Sequence, residues 1–237
     1  MKKLLITGGS SDVAFAIIND LDAEYEVTYT CSSKESLIVN QEKYKEFNAR
    51  GIVHNFKDDK FNESFDIIVL NACSKVNKLA RLNELDTHQE LEYVHDNLKG
   101  NLTVIKASLE RMSEKRFGRI VFISSVSTLT GTAKYSSYVM LKSALEGLMT
   151  NIAVEYGQSN IMANSIRLGI FKTSRTKMIW KREAYQEYMN SQILAGRLGV
   201  PDEVVAPVRM LIAEKSYITG TKFEVSGGLP IPNTGNI

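Results

Sequence analysis

Short apolar runs alternate with longer segments of helical periodicity along the whole chain. Leu4-Leu5-Ile6 runs into Thr7-Gly8-Gly9, and Val13, Ile17, Ile18 and Leu21 follow at the spacing of one helical face. Val27–Cys31 predicts a second strand, with Thr28 and Tyr29 adding β-propensity. The polar stretch from Lys34 to Asn48 predicts a helix, and Gly51-Ile52-Val53 opens a third strand. Phe65–Asn71 and Arg119–Ser125 are apolar enough for strands buried on both faces. Long helices are expected over Asp86–Met112 and Ser136–Tyr156. Strands are expected at Ile161–Leu168 and Phe223–Val225, with a helix over Asp202–Ala213 before the last. Strands alternating with helices call for right-handed crossovers and a parallel sheet covered on both faces. No repeat and no linker interrupts the pattern. The prolines, Pro201, Pro207, Pro230 and Pro232, all lie beyond residue 200. The expectation is an α/β, doubly wound parallel sheet with helices on both faces, in one domain spanning 1–237.

Composition changes this picture little. Twenty-nine Lys and Arg against 27 Asp and Glu leave a net charge of +2, which gives no case for nucleic acid or a membrane surface as partner. Two cysteines are too few for a disulfide framework. The start, MKKLLITGGSSD, holds only three consecutive apolar residues, short of a signal-peptide core. No apolar run is long enough to span a bilayer. A cytoplasmic protein is expected. His54, His88 and His95 have no metal-ligand spacing with the cysteines. Cys73, at a strand end, is read as packing.

Chemistry enters at two places. The turn Thr7-Gly8-Gly9-Ser10-Ser11-Asp12-Val13-Ala14 joins a first strand to a first helix, where backbone amides and the helix's positive end can meet a pyrophosphate. Asp12 places a carboxylate near that site, although Asp tolerates unusual backbone angles and can cap a helix start. The second strand ends Cys31-Ser32-Ser33-Lys34, with no carboxylate to accept a ribose 2′-hydroxyl. Two hydroxyls and a lysine suit a 2′-phosphate and favour NADPH/NADP, with NAD as the alternative. Lys34 also fits a plain exposed charge on the next helix.

The second place is Tyr138-Val139-Met140-Leu141-Lys142, a Tyr and a Lys one helical turn apart. An ammonium beside a phenol stabilises the phenolate and fits the phenol for proton transfer near neutrality. None of the other nine tyrosines has a lysine four residues on. Ser125, thirteen residues before Tyr138, ends a buried strand, where open α/β sheets bind ligands and a hydroxyl can polarise a carbonyl. Asn97, on the preceding long helix, fits a supporting role toward a proton-relay water.

Together these segments resemble the short-chain dehydrogenase/reductase family over essentially the whole chain. The resemblance implies a Rossmann-type fold and a catalytic set of Asn97, Ser125, Tyr138 and Lys142. It places a dinucleotide against Thr7, Gly8, Gly9, Ser10, Ser11, Asp12 and Val13, against Ser32, Ser33 and Lys34, and against Asn55 and Phe56 beside the adenine. Asn71 and Ala72, from a segment that has Cys73 where the family has glycine, complete the set with Tyr138, Lys142, Gly169, Ile170 and Thr173. Asp12 and Ala14 stand where the family's turn has glycines, Leu168 where it has proline, and Ser226 where it has Asp. Tyr135, six residues short of adjoining Lys142, matches the spacing of the family's enoyl reductases. Tyr138 and Ser125 have the ordinary carbonyl-reductase spacing, so Tyr135 is read as a helix-start residue facing the substrate cleft. A homotetramer or homodimer joined through the helices around Asn97 and Tyr138 is implied.

The segment from about 170 to 197 falls where this family covers its substrate. Lys172, Arg175, Lys177, Lys181 and Arg182 carry +5 without an acid between them, leaving the rest of the chain at −3. The expected substrate is a small carbonyl compound, anionic or carrier-bound, with a 3-oxoacyl thioester foremost and a sugar or secondary-metabolite ketone next. Enoyl reduction is a further alternative. The altered turn also admits a non-catalytic, nucleotide-binding regulatory subunit.

Overall fold

The computed structural model describes residues 1–229 and 231, so Pro230 and Pro232 lie outside the described residues. Seven strands form the sheet: β1 (Lys3–Ile6), β2 (Glu26–Cys31), β3 (Ala49–Val53), β4 (Ile67–Leu70), β5 (Gly118–Ser125), β6 (Ile161–Leu168) and β7 (Lys222–Val225). They pair in parallel throughout, in the order β3-β2-β1-β4-β5-β6-β7. The strand order reverses between β1 and β4, which opens a crevice at the carboxyl ends of the strands. The helices are α1 (Asp12–Leu21), α2 (Lys34–Lys43), α3 (Thr87–Glu114), α4 (Ser127–Thr130), α5 (Ser136–Tyr156), α6 (Lys177–Trp180), α7 (Glu183–Gln192) and α8 (Val205–Ile212).

Two cores follow from the two-residue period of the strands. Leu4, Ile6, Ile67, Val69, Val121 and Ile123 point to one face, where they meet Val13, Ile17 and Ile18 of α1 and Val208, Leu211 and Ile212 of α8. Leu5, Ile68, Leu70, Ile120 and Phe122 point to the other, against Val104, Ile105 and Met112 of α3 and Leu141, Leu145 and Met149 of α5. This is why these strands read as unbroken apolar runs in the sequence.

The base of the sheet is pinned by Arg119, which is wholly buried. Its guanidinium donates to the carbonyls of Ala213 (3.0 Å), Glu214 (2.6 Å) and Asn160 (2.9 Å) and lies over the Phe117 ring. It thereby satisfies carbonyls beyond α8 and before β6 that burial would otherwise leave unpaired.

Three expectations are corrected. The polar helix stops at Lys43 and does not reach Asn48, because Tyr44 leaves the helical path. Its ring packs on Tyr29 and its hydroxyl donates to the Gly9 carbonyl at 2.7 Å. The segment 202–213 is split into a 3₁₀ turn, Pro201–Val204, followed by α8, with Pro201 at the turn's first position. Asp12 does not cap α1: Ser11 does, its Oγ accepting the Ala14 N–H at 3.0 Å. Among the described residues no helix is long and apolar enough to cross a membrane.

Candidate active site

A cleft of about 790 Å³ lies at the carboxyl ends of the strands and is lined by Gly8, Ser10–Val13, Ser32, Asn55, Phe56, Asn71–Lys75, Ser125, Tyr138, Lys142, Gly169 and Thr173–Thr176, among others. Its floor is the β1–α1 turn. Gly8 has φ of +76°, and a Cβ there would lie 3.0 Å from the Ala72 Cα, so the turn requires glycine twice over. The turn is fastened to β4 and β2. The Thr7 hydroxyl accepts the amides of Asn71 (3.0 Å) and Ala72 (2.9 Å). Asn71 Nδ2 returns to the Thr7 carbonyl and to Ser11 Oγ, both at 2.9 Å. The Gly8 amide donates to the Thr30 hydroxyl at 3.1 Å. The first amides of α1 have no intrahelical partner and carry the positive end of the helix dipole. A narrow glycine cradle beside a helix start fits a dinucleotide's phosphates.

A further wall is built by α5, which presents Tyr138 and Lys142 one turn apart. Lys142 is 4% exposed, and its Nζ donates to the Ile123 carbonyl of β5 at 2.7 Å. The ammonium lies 5.8 Å from the Tyr138 ring centre. Ser125, two residues beyond Ile123, also lines the cleft, and its hydroxyl donates to Ser127 Oγ at 3.0 Å. A phenol, an ammonium and a hydroxyl thus form a wall of the cleft that the glycine turn also lines. Such a wall can hydrogen-bond a carbonyl oxygen and give it a proton.

A buried polar clamp stands behind this wall. Glu146, one turn past Lys142, accepts from Arg167 Nε (2.9 Å) and Nη2 (2.7 Å), from the Ser124 hydroxyl (2.7 Å) and from Thr128 (3.1 Å). It ties α5 to β6 and to both sides of Ser125. Burial raises the Glu146 carboxyl, but the Arg167 fork and the two hydroxyls outweigh it and hold the group below its ordinary value. Nearby, burial and the neighbouring Cys73 push the Tyr93 phenol up, so it stays a neutral donor, to the Ser74 carbonyl at 3.1 Å. His54, lining the cleft, is pushed down by burial against the opposing bond to the Gly100 carbonyl.

A family model described as enoyl-(acyl carrier protein) reductase matches residues 18–230. A 3-oxoacyl-(acyl-carrier-protein) reductase of Aquifex aeolicus is 33% identical over 95% of this chain and 86% of its own. The chain belongs to the short-chain dehydrogenase/reductase family. It is an NAD(P)-dependent dehydrogenase/reductase of that family. Solved structures share the fold. A putative gluconate dehydrogenase of Agrobacterium tumefaciens superposes with a TM-score of 0.88 at 22% identity, covering 98% of this chain and 96% of that one. A gluconate 5-dehydrogenase of Burkholderia cenocepacia, in complex with NADP and tartrate, gives 0.85 at 21%, covering 97% and 95%.

In this short-chain dehydrogenase/reductase most of the residues expected from sequence meet in the one cleft, but six do not line it. Thr7 and Gly9 lie behind the turn, Thr7 holding β4 and Gly9 accepting from Tyr44. Ser33 caps α2, with its Oγ accepting the Ser36 amide at 3.2 Å, and Lys34 stands exposed on that helix. Ile170 uses its carbonyl to accept from the Gly199 amide. Asn97 is buried with both ends of its carboxamide engaged: Oδ1 accepts the Ser74 amide at 2.9 Å and Nδ2 donates to the Tyr93 carbonyl at 2.8 Å. Tyr135 does begin α5, but Tyr138 lines the cleft and Tyr135 does not; its ring stands edge-on to Tyr138 at 6.1 Å. Cys73 is half-buried in the cleft wall, its Sγ 3.1 Å from the Tyr93 hydroxyl. Ser174 and Thr176 also line the cleft without being expected there, and Arg175, noted in the sequence only as a cation of the covering segment, joins them. They follow Thr173 directly, and only the positive charge of Arg175 marked this stretch in the sequence.

Proposed function

We propose that the enzyme is an NADPH-preferring carbonyl reductase, acting on a ketone or aldehyde of which a 3-oxoacyl thioester is the nearest class. The observation that carries this reading is that Ser125, Tyr138 and Lys142 line one cleft with the glycine turn. The dinucleotide supplies hydride when bound. Ser125 donates a hydrogen bond to the carbonyl oxygen and fixes its orientation. Tyr138 gives its hydroxyl proton to that oxygen as it becomes an alkoxide. Lys142, anchored on the Ile123 carbonyl, keeps a positive charge beside the phenol and favours the phenolate left behind. Asn97 acts at one remove, holding Ser74 in the cleft wall. The same residues serve alcohol oxidation in reverse.

NADPH is preferred on the ground that Ser32 lines the cleft at the end of β2 with no carboxylate beside it. The named activity of the Aquifex relative supports a carrier-bound acyl substrate. The exposed cations Lys172, Lys177, Lys181 and Arg182 support an anionic one. Exposed Leu91, Leu102, Met140 and Val154 on α3 and α5 support a homotetramer or homodimer. A second reading, enoyl reduction, is favoured by the description of the matching family model. Against it, the tyrosine in the cleft is Tyr138.

A panel of ketones, aldehydes, 3-oxoacyl thioesters and enoyl thioesters, assayed with NADPH and NADH, tests the reading. Turnover of carbonyl compounds, faster with NADPH, is expected. Turnover confined to enoyl thioesters overturns carbonyl reduction, and a preference for NADH overturns the cofactor assignment.

A further inference from the structure

Asp12 sits in the first turn of α1, in the wall of the dinucleotide cleft. Its Oδ2 accepts two hydrogen bonds from a single residue 162 positions away, from the Ser174 amide at 2.6 Å and the Ser174 hydroxyl at 2.8 Å. The next residue makes a second attachment: Arg175 Nη2 donates to the carbonyls of Cys73 and Ser74, both at 3.0 Å. Ser174 belongs to a self-supporting turn. The Thr173 amide donates to the Thr176 hydroxyl at 3.0 Å, and the Trp180 indole donates to the Thr173 carbonyl at 2.8 Å. Whatever holds Ser174 therefore holds the start of the basic substrate-covering segment.

Asp12 is not needed to start its helix, because Ser11 does that. Its charge has a cost. A helix turn rises about 5.4 Å, and charges are screened only beyond about 8 Å at physiological salt. A dinucleotide phosphate drawn to the same first turn meets this carboxylate with its repulsion only partly screened. Bonds to an ionised acceptor are about twice as strong as neutral ones, so the same charge is what makes the hold on Ser174 firm.

We propose that Asp12 and Ser174 form a latch that closes the substrate-covering segment onto the nucleotide turn, and that Asp12 gives up dinucleotide affinity to do so. Asp12 is thus a positioning residue for the segment and a setting residue for cofactor affinity. The inference rests on dinucleotide binding and not on the carbonyl chemistry proposed above.

Two measurements separate its halves. Trypsin cleavage of the native, ligand-free protein between Lys172 and Arg182 reads the latch. Asp12→Ala and Ser174→Ala are each expected to be cut about five- to tenfold faster than wild type, as the loss of charge-assisted bonds implies. Unchanged cleavage in both overturns the latch, and this arm needs no ligand or substrate. NADPH dissociation constants, read by nucleotide fluorescence, test the charge. Asp12→Asn, which keeps the shape and an acceptor, is expected to bind about three- to tenfold tighter at low salt, with the gain fading as salt rises. Ser174→Ala, which keeps the charge, is expected to show no tightening. Unchanged or weaker binding by Asp12→Asn, or equal tightening by Ser174→Ala, overturns the affinity half.

Discussion

Glu146 of α5 and Arg167 of β6 meet as a two-bonded ion pair, one helical turn from Lys142, 2.7 Å apart at the closer contact and with 6% and 12% of their side chains exposed. Removing one partner of a buried pair leaves an uncompensated charge, which costs about 3–5 kcal/mol. Arg167→Met is therefore expected to lower unfolding free energy by about that amount in urea. The double variant Glu146→Leu/Arg167→Met is expected to recover much of the loss. The folded Glu146 carboxyl lies below its ordinary value of 4.5. Because the folded value is the lower one, the stabilisation is complete above that pH and is lost as pH falls through the folded value. Acid titration of stability is expected to show this step in wild type and not in the double variant.

Gly100 on α3 lets Phe56 into the cleft wall, since a Cβ at Gly100 would collide with the Phe56 ring. In an open helix, Gly→Ala stabilises by about 1 kcal/mol. Here overpacking is expected to win, so that Gly100→Ala loses about 1–3 kcal/mol of stability. Displacement of Phe56 is also expected to weaken dinucleotide binding several-fold, read by fluorescence titration.

The proposed preference for NADPH is tested at Ser32, which lines the cleft just beyond β2. Replacing it by Asp puts a carboxylate where a 2′-phosphate is expected and gives a 2′-hydroxyl an acceptor. The ratio of kcat/KM with NADPH to that with NADH is expected to fall by about tenfold or more. Lys34→Ala, on a side chain outside the cleft, is expected to change the ratio little.

Much of this was legible in the sequence, and the physical reason differs from part to part. Strands buried on both faces leave unbroken apolar runs, so the sequence places β5 and β6 to within one residue, while the run over Phe65–Asn71 overshoots β4, Ile67–Leu70, at both ends. The sequence bounds of α5 agree with the structure, and the Tyr–Lys spacing sets Tyr138 and Lys142 on one face. The end of α2 was not legible, because Tyr44 leaves the helix for a carbonyl 35 residues away. Ser and Asp are both residue types that cap helices, and only the path of the Gly8 turn decides that Ser11 caps and Asp12 is free to reach Ser174. The contact to Ser174 has no sequence period to betray it. The Glu146–Arg167 clamp was likewise hidden, since each residue reads as an ordinary surface charge until the fold buries it.

The exposed cations of the segment proposed to cover substrate carry their own test. Neutralising Lys177, Lys181 and Arg182 together to Gln is expected to raise KM for an anionic thioester substrate about three- to tenfold at low salt. KM for a small neutral ketone is expected to stay put, and the difference to shrink as salt screens it. An anionic substrate whose KM is insensitive to both changes contradicts the role given to these charges.

The central claim is that Tyr138 delivers the proton in carbonyl reduction, and Tyr138→Phe tests it most directly. With the best carbonyl substrate from the panel, kcat is expected to fall by about 10²–10⁴-fold. The dissociation constant for NADPH, measured on the same preparation, is expected to stay within about threefold, because a single hydroxyl is removed and the Lys142–Ile123 bond is untouched. Turnover within a few-fold of wild type, with the cofactor bound normally, would contradict the account.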